Sequence, residues 1–91
     1  MFLEQKDWVQ ARIYFEQALP LYVAERNPRG QAGTLIGLGC TRFELGEHEQ
    51  GMQDVQQAAT LFHFVRNEQW VGYAEQYLAE MRRRMEEAGG K

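Results

Sequence analysis

Apolar residues recur along this chain at alternating steps of three and four, the spacing that places side chains on one face of an α-helix. From about Asp7 to Arg26 the stripe is Trp8, Ala11, Phe15, Ala18 and Tyr22. From about Glu47 to Arg66 it is Gly51, Val55, Ala58, Phe62 and Val65. From about Glu68 to Glu87 it is Trp70, Ala74, Tyr77, Met81 and Met85. A further helix fits between the first two, from about Pro28 to Leu45. Asp7, with Gln10 three residues on, makes a capping-box-like start. Asn27-Pro28 is a boundary: Asn caps well, and Pro in the first turn loses only an N–H that lacks a partner anyway. Gly46 suits a left-handed C-terminal cap, Asn67 caps again, and Ala88 to Lys91 are expected to fray. No strand pattern, linker or low-complexity tract interrupts this order. The expectation is an all-α chain of four antiparallel helices, about 7–26, 28–45, 47–66 and 68–87.

The helices are related to one another. Shifted by 40 positions, Arg26-Asn27 falls on Arg66-Asn67, Ala18 on Ala58, Leu21 on Leu61 and Leu38 on Leu78. Gln17 falls on Gln57 and Tyr22 on Phe62. A period of this size is the signature of stacked repeats, in which each unit buries its apolar face only against a neighbour.

The residues Leu35-x2-Leu38-Gly39, then Gly46, then Gly51-x3-Val55-x2-Ala58 resemble a tetratricopeptide repeat (TPR), whose pattern is W-x2-L-G-x2-Y…A-x3-F…P. Ala11-x3-Phe15-x2-Ala18 matches the second half of such a repeat. The spacing is similar to that of the longer-helix TPR subclass, with Arg26-Asn27-Pro28-Arg29-Gly30-Gln31-Ala32 as the turn between repeats. The resemblance covers residues 7 to about 81. It departs at Arg42, where the family has an aromatic, at Gly51 in place of a small alanine, and at Lys6 in place of a turn glycine. It implies an α-α solenoid read in the order B, A, B, A. The first helix then lacks its own partner and the last has no successor. Either the chain belongs to a longer solenoid or another chain supplies the missing surface.

Composition narrows the function classes. Ninety-one residues make one domain. A net charge of −3 leaves no electrostatic footprint for nucleic acid. No apolar run approaches the ~20 residues that span a bilayer. Met1 to Lys6 carry an acidic Glu4 and no apolar run, unlike a signal peptide. A single cysteine, Cys40, excludes an intrachain disulfide. Cytoplasmic residence is the expectation.

Candidate chemistry is sparse. His48 and His63 lack the histidine partner three or four positions away that a helical metal pair needs, although His63 could join Asp54 or a glutamate. Cys40 sits mid-helix, where neither a helix N-terminus nor a nearby base activates a thiol. No acidic pair stands out, and the glycines are not placed as a phosphate loop. Cofactors and an enzymatic role are therefore not expected. Arg82-Arg83-Arg84 could dock an acidic segment, but Arg82–Glu86, Arg83–Glu87 and Glu80–Arg84 sit at helix spacing for ion pairs. The interior glycines Gly30, Gly33 and Gly37 each cost about 1 kcal/mol relative to Ala. Under the shift of 40 they correspond to Trp70, Tyr73 and Tyr77. They are expected to face aromatics of the fourth helix or of another chain.

The leading function is a non-catalytic scaffold for a protein or peptide partner. The resemblance places its groove at Gly33, Ile36, Cys40, Phe43 and Glu44, then Tyr73, Gln76, Tyr77, Glu80, Arg83 and Arg84. The Lys/Asn/Arg set with which some TPRs clamp a terminal carboxylate is not matched, since Gly37 and Tyr77 occupy key sites. A second class is a self-association module. Trp8, Val9, Ile13, Tyr14 and Phe15 exceed what one neighbouring helix covers, and the fourth helix, with Trp70, ends the stack without a polar capping helix, so a homodimer formed by end-to-end stacking or helix exchange is expected. A third class is a regulatory TPR segment of a larger signalling or transcription protein.

Overall fold

Three short turns set the architecture. In the computed structural model, which describes residues 5–89, the helices are α1 (Gln5–Ala24), α2 (Pro28–Glu44), α3 (His48–Phe64) and α4 (Glu68–Gly89). No strand occurs among the described residues. Each of the first three helices ends the same way, with one residue in the left-handed region: Arg26 at φ 55°, Gly46 at 91° and Arg66 at 60°. The next N–H then reaches back across the turn: Asn27 to Tyr22 O at 3.0 Å, Glu47 to Arg42 O at 2.8 Å, Asn67 to Phe62 O at 2.8 Å. This is the Schellman closure, which satisfies carbonyls that the helix leaves unpaired. Asn27 and Asn67 also cap the following helices, accepting from the backbone N–H of Gly30 at 3.0 Å and of Trp70 at 3.3 Å. The 40-residue correspondence of Arg-Asn in sequence is therefore also a correspondence of backbone conformation. Arg26 and Arg66 bear the cost of a left-handed non-glycine residue at two of the three turns.

Helix boundaries lie close to those expected: α1 ends at Ala24 rather than Arg26, α2 at Glu44 rather than Leu45, and α3 runs from His48 to Phe64 rather than from Glu47 to Arg66. α1 begins at Gln5, so Asp7 lies in its first turn and is not the cap. α4 runs through Gly89, and Gly90 and Lys91 lie outside the described residues, as do Met1 to Glu4.

The main helix–helix contacts join consecutive elements: α1 on α2, α2 on α3, α3 on α4. α2 is thus covered from two sides, and it carries buried residues around much of its circumference: Ala32, Thr34, Leu35, Ile36, Leu38, Gly39, Thr41 and Phe43. Its closest approach is to α3. A Cβ added at Gly39 would stand 2.6 Å from Gly51 O, and one added at Gly51 would stand 2.5 Å from Gly39 O. Only two glycines permit backbones to meet in this way. Around that crossing lie Phe43, Val55, Ala58 and Phe62, continued by Ala74, Leu78 and Met81 of α4.

The remaining glycines of α2 do not face α4 as expected. Gly37 lies under the ring of Phe15, whose Cζ would be 2.5 Å from an added Cβ, and Gly30 lies under Tyr22. The cause is the packing order: the glycine face of α2 is turned to α1. Gly33 faces open space. The correspondence of Gly30 with Trp70 persists in another form. Where Tyr22 covers Gly30, its counterpart Phe62 stacks on Trp70, with centroids 5.5 Å apart and planes at 21°. On α4, Ala74, Leu78 and Met81 are buried, whereas Trp70, Tyr77 and Met85 stay exposed. The apolar stripe expected there is half outside the core. Among the described residues no helix is long and apolar enough to cross a membrane.

These environments separate the glycines by substitution. Gly39→Ala or Gly51→Ala should lower stability by about 1–3 kcal/mol through overpacking against backbone that cannot yield. Gly33→Ala, in open space, should raise it by about 1 kcal/mol through helix propensity alone. Urea unfolding followed by circular dichroism distinguishes the two outcomes.

Candidate functional site

α4 presents the longest exposed aromatic row of the described chain. Trp70, Tyr73 and Tyr77 follow one another at steps of three and four, so they share a face. Trp70 is fixed by its stack on Phe62 and meets Tyr73 edge-on, with centroids 5.1 Å apart at 84°. Gln69 donates to the Tyr73 hydroxyl at 3.0 Å. With Gln76 and Glu80 these three rings line an open depression of about 480 Å3. A second depression, about 200 Å3, lies where α4 meets α2, lined by Cys40, Phe43, Glu44, Tyr77, Glu80, Met81 and Arg84. Tyr77 and Glu80 border both, so the two adjoin as a furrow whose larger part is lined by α4 alone and whose smaller part is lined by α2 and α4.

The groove residues expected from sequence divide on this surface. Tyr73, Gln76, Tyr77 and Glu80 come together in the larger depression, and Cys40, Phe43, Glu44 and Arg84 in the smaller. Phe43 is 3 % exposed, so it supplies floor and little accessible area. Ile36 is buried in the core, and Gly33 and Arg83 line neither depression. Trp70, assigned to self-association, stands at the head of the furrow. Of the other residues in that set, Trp8 and Val9 are half-buried, Phe15 covers Gly37, and Ile13 and Tyr14 are exposed.

Charges beside the furrow are mutually satisfied. Arg84 bridges to Glu44 across the helices at 3.0 Å, rather than to Glu80, and its guanidinium lies 5.0 Å from the centre of the Phe43 ring. The hydrogen bond to Glu44 holds the Arg84 pKa above its ordinary value against a smaller opposing effect of burial. Arg83 pairs with Glu80 and, at 2.7 Å, with Glu87. Cys40 is half-buried, and burial first, then the charge of Glu44, pushes its thiol pKa up. The thiol therefore stays protonated and unreactive at neutral pH. His48 packs its ring on Phe43, and His63 Nδ1 lies 3.0 Å from Glu68 Oε1. Among the described residues no group of three or more His, Cys, Asp and Glu is placed to hold a metal ion.

Sequence reasoning missed the polar centre of the fold. Arg42 donates to Asp54 at 2.8 Å and to Glu16 at 3.1 Å, and lies 3.8 Å from Glu47. Glu47 in turn pairs with Arg12, and Gln50 donates to the other Asp54 oxygen at 3.1 Å. One guanidinium thus ties α1, α2 and α3 together. Burial works against the charge on Arg42, but its bonds to Glu16 and Asp54 outweigh it and raise the pKa. A signal was present: Asp54 lies among Gly51, Val55 and Ala58 on the buried face of α3, where a carboxylate needs a partner.

No family model, no curated protein and no solved structure matches this chain.

Arg42→Ala leaves the buried Asp54 carboxylate without its cation and should destabilise by about 3 kcal/mol or more. The double replacement Arg42→Leu with Asp54→Leu should cost less than Arg42→Ala, because no buried charge is orphaned. Arg83→Ala should leave the unfolding midpoint unchanged. Chemical denaturation of the three variants checks the order.

Proposed function

We propose that this chain is a non-catalytic TPR-type scaffold that holds a segment of another protein along the α2/α4 face. The observation that carries the reading is the pair of adjoining depressions, with Trp70, Tyr73 and Tyr77 lining one and Cys40, Phe43 and Met81 the other. Rigid aromatic rings bind at low entropic cost, and Trp and Tyr are enriched where binding energy concentrates.

The TPR reading draws support from the repeated turn geometry at Arg26 and Arg66 and from the consecutive packing of the helices. In that reading α2 and α4 are equivalent helices of successive repeats, and both contribute to the furrow. The Arg84–Glu44 pair keeps the wall polar, and Arg83, outside the depressions, is held by Glu80 and Glu87, so neither cation is left to attract an acidic tail. A protein or peptide partner that presents apolar side chains follows from this chemistry. A nucleic acid does not, given the net charge of −3. A cytoplasmic setting agrees with a sequence whose single cysteine allows no intrachain disulfide.

Selection from a random peptide library, followed by fluorescence anisotropy on the winners, tests the proposal. Binding should weaken at least about tenfold in Tyr73→Ala and Tyr77→Ala and be lost in the double variant. Peptides that bind the double variant as tightly as the native chain would place recognition elsewhere.

A further inference from the structure

The repeat sets α1 beside α3 position by position. On α3, the face formed by Gly51, Asp54, Ala58 and Leu61 receives α2: Gly51 meets Gly39 and Phe43, Asp54 accepts from Arg42, and Ala58 is buried. Forty positions earlier the same face of α1 carries Ala11, Tyr14, Ala18 and Leu21. Tyr14 is 65 % exposed where Asp54 is 4 %, and Leu21 is 64 % exposed. With Gln17, Ala18, Tyr22 and Glu25 they line an open depression of about 330 Å3. Alanines at the floor and larger side chains at the rim repeat the form that accepts a helix on α3.

Two helices of a second copy are candidates for that place, and chemistry separates them. Continuation of the repeat would bring α4, whose matching face holds Ala79, Arg82 and Arg83 beside Glu75 and Glu86, all exposed. It offers charge to Tyr14 and Leu21, and a charged outer face is what ends a stack. α1 instead complements itself. An antiparallel second α1, with the two-fold axis between Gln17 and Ala18, sets Tyr14 against Leu21 of the second copy and Leu21 against Tyr14 of the second copy. Ala18 at the axis permits close approach. The acidic first turn at Asp7 then faces the basic turn at Arg26 and Arg29 of the second copy, and the helix dipoles oppose.

We infer that the Tyr14–Ala18–Leu21 face of α1 is the contact surface of a closed, two-fold homodimer of this chain. It is distinct from the furrow on α4 and does not depend on the peptide-binding reading. An isologous contact of this kind closes at two subunits. One helix pair buries less than a standard interface of about 1,600 Å2, which places the contact among the weak, reversible ones.

Sedimentation equilibrium of the full chain across micromolar concentrations should show a monomer–dimer exchange with no larger species. Tyr14→Glu and Leu21→Glu should each weaken the dimer at least about tenfold, with helicity unchanged and the melting temperature unchanged at dilutions where the chain is monomeric, because both side chains are exposed there. In a Cys40→Ser background, Ala18→Cys should oxidise to a covalent dimer and Ala79→Cys should not. A monomer at every concentration overturns the inference. So does growth beyond the dimer, which would mean head-to-tail stacking through α4. A dimer indifferent to both glutamates and uncrosslinked by Ala18→Cys overturns it as well, since the contact then lies on another surface.

Discussion

Two backbones meet where α2 crosses α3, and the rest of the fold is arranged around that meeting. Gly39 and Gly51 leave no room for a Cβ on either side. The approach brings Phe43 over Gly51 and sets Arg42 within reach of Asp54. Close packing then supplies dispersion contacts that offset the helix propensity lost at two glycines. Arg42 extends the crossing to α1 through Glu16, and Arg84 ties α4 back to α2 through Glu44. The furrow exists because α2 is held at this depth, with Cys40 and Phe43 as its floor under the rim of Tyr77.

The two interfaces that flank the crossing solve one packing problem in opposite ways. α1 lays large rings, Phe15 and Tyr22, over glycines of α2. α3 lays Phe62 against a ring, Trp70, and the pair leaves Trp70 partly in solvent. The aromatics that α2 lacks are present on α4, and they line the larger depression.

Most of the helical framework was legible in the sequence, because it rests on local chemistry. Asn27-Pro28, Gly46 and Asn67 mark real boundaries, since capping and left-handed turns depend on a few neighbouring residues. The groove was legible in part. Tyr73, Gln76, Tyr77 and Glu80 share a face by helical spacing alone. What stayed hidden depends on rotation of one helix against another. Nothing local says that Gly30 and Gly37 turn to α1, that Ile36 is core, or that Trp70 heads the furrow. The Arg42 network was hidden for the same reason, as its partners come from two other helices and one turn. Even the ion pair of Arg84 goes to Glu44, 40 residues away, in preference to the local Glu80.

α1 is the least secured helix. Pro20 lies within it and cannot donate to the carbonyl of Glu16, and its other side is largely exposed. α2 and α3 share the crossing, the core and the buried carboxylate. Native-state hydrogen exchange measures this hierarchy directly, because each amide reports the free energy of the opening that exposes it. The amides flanking Gly39 and Gly51 should exchange last, at the free energy of global unfolding, with α1 and the final turns of α4 opening earlier. Amides of α1 that match or exceed the protection of α2 and α3 would contradict the claim that the glycine crossing holds the fold together.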